Sequence, residues 1–349
     1  MTIPPAIYDG ILRPLLFRLD PESAHRFAMA WLKLLAKFPG IARLLAGEAD
    51  PRDACEVFGI RFPNRIGLAA GFDKEAAALL AWEALGFGHV EAGTITALAQ
   101  PGNEKPRVFR VPSHRALINR MGFNNGGADA VAARLDAVKR AGRWPRIPVG
   151  INLGKSKVVP VEKAAGDYLR SLAALHRFAD YLVLNVSSPN TPGLRKLQDP
   201  RALDELVAAV LDSNRELSSA AGRAHPTPLL VKIAPDLDGP AIEGILELAE
   251  RRGVSGLIST NTTLDHSAIP ENMNTEGGLS GAPLRGRATE ILRFIAGRTR
   301  LPIIASGGVM DADAAKEKID SGAALVQVYT GFVYRGPALL REIAVALRA

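Results

Sequence analysis

Eight short apolar runs recur along the chain, at residues 66–69, 89–92, 148–153, 181–184, 229–233, 256–258, 302–305 and 325–328. Most are β-branched or leucine-rich. They are continuous rather than alternating, so each strand they predict is covered on both faces. Helix-like stretches separate most of them. Such strands alternating with helices predict a parallel sheet, and a count of eight favours a closed (β/α)8 barrel of the α/β class over an open doubly wound sheet. The open sheet would also need a GxGxxG turn after its first strand, and none occurs. Just ahead of the first run, Val57-Phe-Gly-Ile-Arg-Phe62 alternates like a short strand pair.

Residues 1–46 follow a different pattern. Asp20-Pro21-Glu22 has the form of a helix start, with Asp20 as N-cap, proline in the first position and an acid in the first turn. Pro39-Gly40 is expected to stop that helix. Arg26, Lys33 and Lys37 fall on one side of it with Glu22, while Phe27, Trp31, Leu34, Leu35 and Phe38 fall on the other. The pattern suits a helix packed on its own protein or one lying in a membrane interface. A second helix over about residues 6–19, carrying Arg13 and Arg18, pairs with it. Two short helices bury too little for an independent core, so they must lean on the main body, on lipid or on both. The expected division is an N-terminal amphipathic helical domain, 1–46, and a barrel domain, 47–349.

Composition narrows the classes. With 47% apolar and 23% charged residues, the 349-residue chain has the balance of a globular protein with a sizeable core. The lone Cys55 excludes an intramolecular disulfide and a cysteine-rich metal site. A net charge of +7 would serve nucleic acid, an anionic membrane surface or an acidic substrate, and does not choose among them. No apolar run is long enough to predict a transmembrane helix. The segment 11–19 is interrupted by Arg13, Pro14 and Arg18 and does not read as a signal peptide. His25, His89, His114, His176, His225 and His266 show no metal-ligand spacing, and none stands at a strand end with a carboxylate partner. That argues against a metal site and against a Ser-His-Asp triad. Walker and nucleic-acid fingerprints are absent as well.

The strand ends carry the chemistry. Barrel sites sit at the carboxyl ends of the strands, and here each run passes into residues able to touch a ligand. After the fourth run comes Asn185-Val-Ser-Ser-Pro-Asn-Thr-Pro-Gly193, a stiffened loop of amides and hydroxyls with neither carboxylate nor histidine. Such a set recognises a heterocycle built from amides and carbonyls. Gly67-Leu-Ala-Ala-Gly-Phe-Asp-Lys74 ends the first run with small residues that let a flat ring approach the backbone, and Lys74 is a natural partner for a carboxylate or phosphate. Ser306-Gly-Gly308 and Tyr329-Thr330 end the last two runs, where barrels commonly hold phosphate; Gly277-Gly-Leu-Ser-Gly281 adds a glycine-rich turn nearby. Lys232, inside the fifth run, is expected to point into the barrel mouth. There it would suit a flavin or, alternatively, pair with an internal carboxylate. The long stretch 100–125 exceeds an ordinary connection and is expected to form a lid or extra hairpin.

Together these motifs resemble the dihydroorotate dehydrogenases of pyrimidine synthesis, and most of all their membrane-associated, quinone-reducing class 2. The resemblance is carried by Asp20-Pro-Glu-Ser-Ala-His-Arg26, Gly67–Lys74, Lys105-Pro-Arg-Val-Phe-Arg110, Asn119–Asn124, Asn185–Gly193, Val231–Asp236, Thr260-Asn-Thr-Thr-Leu-Asp265, Gly277–Gly281 and Val326–Gly331. It implies FMN lying on Ala70, Gly71 and Thr94, with Phe72 and Asp73 completing that segment and Asn152, Asn185, Lys232 and Thr260 around the ring. The phosphate is implied near Gly281, Gly308, Tyr329 and Thr330. Dihydroorotate is implied to set its carboxylate on Lys74 and its amides on Asn119, Asn185, Asn190, Asn261 and Thr262, with Arg120, Met121, Gly122 and Phe123 closing over it. Ser188 is the implied base that takes the C5 proton while hydride leaves C6 for flavin N5, with Phe123 and Thr191 lining the proton's onward path. The soluble class 1 branch has cysteine where Ser188 stands. The N-terminal helices become a quinone tunnel lined by His25, Arg110 and Tyr329. The protein is then expected to be peripheral to an anionic membrane surface, on the cytoplasmic face of the inner membrane if bacterial. A hydroxy-acid oxidase on a similar FMN barrel would need a histidine base that no strand end supplies. An inactive lipid-surface scaffold would not be expected to keep Lys74, Ser188 and Asn190 together.

Overall fold

The structure is a computed structural model that describes residues 5–46 and 50–348; residues 1–4 and the expected domain boundary at residue 47 lie outside the described residues. In chain order the strands are β1 (Cys55–Val57), β2 (Ile60–Phe62), β3 (Ile66–Leu68), β4 (His89–Ile95), β5 (Val108–Val111), β6 (Ala116–Asn119), β7 (Val149–Leu153), β8 (Tyr181–Asn185), β9 (Leu229–Ile233), β10 (Gly256–Ser259), β11 (Gly278–Gly281), β12 (Ile303–Ser306) and β13 (Leu325–Val328). The strands β3, β4, β7, β8, β9, β10, β12 and β13 close into a parallel barrel in that order. All eight apolar runs supply barrel strands, and β4 continues beyond its run to Ile95. A helix follows every barrel strand before the next one, from Leu79–Leu85 after β3 to Ala338–Ala346 near the C-terminus.

Two packing layers hold the barrel. Between strands and helices lies one continuous apolar core that includes Leu68, Val90, Ile151, Leu182, Val231 and Leu257. Inside the barrel, Val183, Leu230, Ile258, Ile304 and Leu325 meet Val57 and Phe62 of the β1–β2 hairpin, which plugs the amino-terminal end. The rest of the interior fits large rings against glycines. A Cβ on Gly67 would stand 1.9 Å from His89 Nε2, and one on Gly150 would stand 2.1 Å from Tyr181 Cζ.

The segment after β4 forms the expected hairpin, β5 against β6. Gly277–Gly281 differs from expectation: instead of a turn, its last four residues form β11, which pairs antiparallel with β6. Glycine is needed there for close approach. A Cβ on Gly278 would fall 2.0 Å from Thr262 Oγ1, and one on Gly281 would fall 2.3 Å from the Arg115 carbonyl oxygen.

The N-terminal helices lean on the barrel. Asp20 caps the Pro21–Leu35 helix, accepting from the Ser23 N–H at 3.0 Å. That helix ends at Leu35, and Pro39-Gly40 opens a further helix, Pro39–Ala46, rather than stopping the first. Proline serves equally well in a first turn, where its missing N–H has no intrahelical partner to lose. Tyr8 Oη donates to the Val333 carbonyl (2.9 Å) and Arg13 to that of Tyr334 (3.1 Å), docking the first helical segment on the barrel's last turn. Glu22 takes a forked bond from Arg107 of the lid segment at 2.8 and 3.2 Å.

The ring-against-glycine packing predicts opposite signs for two glycine substitutions. Gly67→Ala forces the His89 ring to move and is expected to destabilise by about 1–3 kcal/mol. Gly244→Ala, inside the Gly239–Arg252 helix with only an ordinary 3.6 Å contact to Pro200, is expected to stabilise by about 0.5–1 kcal/mol. Urea denaturation of the two variants checks both.

Candidate active site

The carboxyl ends of the barrel strands and the β5-β6-β11 sheet above them enclose one cavity. Into it the β8 loop brings Asn185, Ser188 and Asn190, and β3 brings Ala70, Gly71 and Lys74. Thr94 comes from β4, Lys232 from β9, and Thr260, Asn261 and Thr262 from the end of β10. The lid adds Asn119, Met121, Gly122 and Phe123, while Gly281, Gly308, Tyr329 and Thr330 line one flank. These are nearly all the residues named from the sequence, drawn from segments up to 260 positions apart in the chain (70 to 330).

An amide network sets their orientation. Asn185 Nδ2 donates to Thr94 Oγ1 (2.8 Å), and Asn261 Nδ2 donates to Ser187 Oγ (3.0 Å) and Asn185 Oδ1 (3.3 Å). Asn190 Nδ2 reaches the Asn119 backbone carbonyl at 3.0 Å, tying the β8 loop to the lid. Ser188 Oγ accepts from the Asn190 N–H at 3.3 Å and is buried. Thr191, one residue beyond Asn190, is buried with its hydroxyl unpartnered. Lys74 Nζ donates to the Gly71 carbonyl at 2.6 Å, and burial, reinforced by the nearby Arg107 charge, lowers its pKa to about 8.

The lid turn is held under strain. Phe123 has a left-handed φ of +54°, which costs an L-residue about 1–2 kcal/mol. Its carbonyl accepts from Asn125 Nδ2 (2.7 Å) and Gln100 Nε2 (3.1 Å), which offsets that cost and keeps the ring over the cavity.

Four of the residues named from the sequence for flavin or substrate do not line this cavity. Asp73 is buried behind the wall, its carboxylate accepting from the Ala77 and Ala78 N–H groups and from Trp82 Nε1. Phe72 faces a second cavity. Arg120 lies on the outer side of the lid, donating to the Pro106 carbonyl and stacking over Phe109. Asn152 sits beneath the floor, with Nδ2 on Glu91 and Oδ1 unpartnered.

Several supporting residues escaped the sequence reading. Lys232 bonds both oxygens of Glu91 at 3.2 and 3.3 Å, so the two readings of this lysine coincide: it lines the cavity and has an internal carboxylate. A lone acid within the run His89-Val-Glu-Ala92 was the available signal. Arg195 fastens the β8 loop to the β10 loop, donating to the Ser187 and Thr262 carbonyls and to Asp236. Gln327, at the end of β13, lines the cavity with both ends of its amide unpartnered.

The second cavity, of about 740 Å³, lies between the N-terminal helices and the barrel and is almost wholly apolar. Leu12, Leu16, Ala28 and Leu32 face Phe72, Phe332 and Val333 across it. Lys74, Val108, Leu117, Met121 and Tyr329 belong to both cavities, so one layer of side chains divides them. His25 lines the apolar cavity with its ring 5.0 Å from that of Phe72; burial, and then the Lys74 charge, push its pKa down to about 3, so it is neutral. Arg110 also lines it, but its guanidinium donates to the carbonyls of Leu16, Phe17 and Leu19 and so caps the Arg13–Arg18 helix. Around the cavity, Phe27, Trp31, Phe38, Ile41 and Leu44 are exposed, Leu44 to 81%. Ten of the fourteen exposed large apolar side chains among the described residues lie between Ile7 and Leu44. No helix among the described residues is long and apolar enough to cross a membrane.

Comparison with known proteins agrees with this geometry. A family model described as dihydroorotate dehydrogenase matches residues 53–349. The chain is 51% identical to a dihydroorotate dehydrogenase (quinone) of Gloeobacter violaceus over 97% of its own length and 93% of that protein's. It is 50% identical to one of Salinispora arenicola, covering 98% and 99%. Among solved structures, the dihydroorotate dehydrogenase of Eimeria tenella in complex with ferulenol superposes with a TM-score of 0.85 at 39% identity, covering 94% of this chain and 90% of that one. A polar cavity at the barrel mouth, an apolar one beside it and this likeness over nearly the whole length lead to one conclusion: the chain belongs to the dihydroorotate dehydrogenase family.

Proposed function

We propose that the protein oxidises dihydroorotate to orotate and passes the electrons to a membrane quinone, with FMN bound in the barrel mouth. The observation that carries this reading is the shared wall: an amide-lined cavity holding Ser188 and Lys74 meets an apolar cavity bounded by exposed apolar helices. The residues present fit a flavin. Asn152 Oδ1 and both ends of Gln327 are buried without partners, as groups awaiting a heterocycle would be. Gly71, Gly281 and Gly308 bring backbone to the cavity wall, where a ring and a phosphate need to approach. Ala70, Gly71, Thr94, Lys232 and Thr260 would hold the ring, with Asn152 beneath them, and Gly281, Gly308, Tyr329 and Thr330 the phosphate. When bound, FMN supplies the acceptor for the hydride leaving C6 and the donor of the electron pair to quinone.

The chain's own residues do the rest. Lys74 neutralises the substrate carboxylate, and the amides of Asn119, Asn190 and Asn261 with Thr262 fix the ring in one orientation. Entropy is spent at binding rather than at reaction. Ser188 Oγ takes the C5 proton. A neutral hydroxyl is a weak base, so it must release its own proton as it gains one, and the unpartnered Thr191 hydroxyl is the next group along the loop. Phe123 excludes bulk water from this exchange. On the far side of Tyr329, neutral His25 and the apolar walls receive the quinone head. The helices of residues 1–46 act as the membrane-facing part, their apolar side chains entering the interface while the exposed Arg18, Arg26, Lys33, Lys37 and Arg43 meet anionic headgroups.

Purified protein is expected to be yellow and to bleach when dihydroorotate is added without air. In Ser188→Ala the colour stays and bleaching slows by roughly 10²–10⁴-fold; bleaching at the wild-type rate would remove Ser188 from the mechanism. Ala28→Phe, which narrows the apolar cavity, is expected to raise the KM for quinone roughly tenfold, the effect of about 1.4 kcal/mol, and to leave bleaching untouched. Lys74 titrates from a pKa lowered to about 8, so its ammonium is present at neutral pH and lost as pH rises through that value. Consequently kcat/KM for dihydroorotate should fall above about pH 8, and a profile flat across that range would detach Lys74 from the carboxylate.

A further inference from the structure

Directly beneath the cavity, Glu91 is fully buried in β4, among neighbours buried along the whole strand. A carboxylate taken out of water is costly unless paired and hydrogen-bonded. Both of its oxygens are engaged: Lys232 Nζ lies 3.2 and 3.3 Å away, and Asn152 Nδ2 donates to Oε1 at 2.5 Å. The two partners come from different strands, β7 and β9, and meet only through this acid. Gly150, opposite Glu91 in the β4–β7 register, puts no side chain between them.

We infer that Glu91 is a positioning residue: it fixes the donor and acceptor polarity of the floor on which the flavin ring lies, and offsets the Lys232 charge beneath that ring. The inference rests on FMN occupying the cavity as proposed above. One Nδ2 hydrogen of Asn152 is held by Glu91, which turns Oδ1 to the other side of the amide, where it is buried and unpartnered, so a free acceptor lies just beneath the floor at this point. Lys232, carrying no lone pair as an ammonium, offers only donors. A ring edge that alternates N–H with carbonyl and imine acceptors, as the pyrimidine side of a flavin does, is matched by such a pair in one orientation and opposed in the flipped one. Nothing else among the described hydrogen bonds prevents the Asn152 amide from turning over; the carboxylate, which only accepts, does.

The charge follows the same geometry. Lys232 alone would place an uncompensated cation under the ring and strongly favour negative charge there, because Coulomb interactions are large in a dry interior. Glu91 moderates that preference, so the ring can both receive an electron pair from one substrate and give it up to another. The other polar groups packed around the acid are neutral. Tyr181 is held uncharged by burial and by Glu91 itself, and His89 is held uncharged by burial.

The test is made on FMN-loaded protein, with the midpoint potential of the bound flavin measured by redox titration and FMN affinity by fluorescence on reconstitution. Glu91→Gln is expected to shift the midpoint to a more positive value and to raise the FMN dissociation constant at least about tenfold, since a Gln amide no longer dictates which way Asn152 points. Glu91→Asp should recover part of the midpoint. A Glu91→Gln protein with wild-type midpoint and wild-type FMN affinity overturns the inference. Should that variant fail to fold, the Glu91→Gln/Lys232→Gln double variant, which leaves no buried charge alone, carries the test. A midpoint close to wild type is expected, the two charges having offset each other, and a large negative shift, as from loss of the lysine charge alone, overturns it. Failure of the wild-type protein to bind FMN at all would instead strike the proposed function, so the two failures are distinguishable.

Discussion

Closing eight parallel strands creates a cylinder that has to be filled from within, and the way this chain fills it underlies the rest of the structure. One sector is apolar: Val183, Leu230, Ile258, Ile304 and Leu325 pack on Phe62 of the hairpin plug. The adjoining part is not. There Gly67 and Gly150 make room for His89 and Tyr181, and above these rings Glu91, Lys232 and Asn152 form a bonded trio. An interior filled entirely with aliphatic side chains would be simpler and as stable, since buried ion pairs rarely contribute more than well-packed hydrocarbon. The polar sector costs stability and gives the barrel mouth a floor with fixed charge and fixed hydrogen-bond polarity.

That floor is reached from two sides by groups of opposite character. On one side the lid sheet and the β8 loop present amides and hydroxyls, held by cross-loop anchors such as Arg195 and by the Asn190–Asn119 bond. On the other, the N-terminal helices present walls that are apolar but for His25 and Glu22. They cannot form a core alone and exist in this arrangement because Tyr8, Arg13 and Glu22 fasten them to the barrel and its lid. Glu22 therefore links both sides: its partner Arg107 also donates to the Pro101 and Asn103 carbonyls, and Asn103 in turn donates to the Asn190 carbonyl. The apolar chamber and the substrate loop share one hydrogen-bonded frame.

Much of this was legible in the sequence because parallel strands buried on both faces leave an unusually plain trace. Eight continuous apolar runs could be located and their carboxyl ends read directly, and the cavity collects those ends. Legibility stopped where the deciding factor was a neighbour distant in sequence. Gly277–Gly281 looks like a turn until β6 is beside it, when its glycines prove to be sites of close contact. Pro39-Gly40 punctuates equally well as a stop or a start, and tertiary packing of Ala42 on Leu80 and Ala84 selects the start. Asp73 stands among ligand-facing residues yet turns away, because two N–H groups of the following turn and the Trp82 indole compete for its carboxylate. Glu91 acts through partners 61 and 141 positions away, and Arg195 ties Ser187 to groups 41 and 67 positions from itself, which no local pattern encodes.

The division between the cavities bears on how two unlike substrates can share one redox group. A water-soluble anion needs amides and a cation, and a long apolar molecule needs neither; a single pocket built for both would leave polar groups unpaired whenever the second was bound. Here a layer one side chain thick, with Tyr329 and Lys74 in it, separates the two environments without separating them by more than the reach of a flat ring. The exposed apolar surface of the helices follows from the same requirement. A chamber that receives a lipid-borne molecule has to open where lipid is, so Leu15, Phe27 and Trp31 are left uncovered at its rim although burying them would stabilise the isolated protein. The exposed patch and the orphaned amides beneath the barrel mouth are thus two forms of one compromise: surface left unsatisfied in the protein alone, to be satisfied by what it binds.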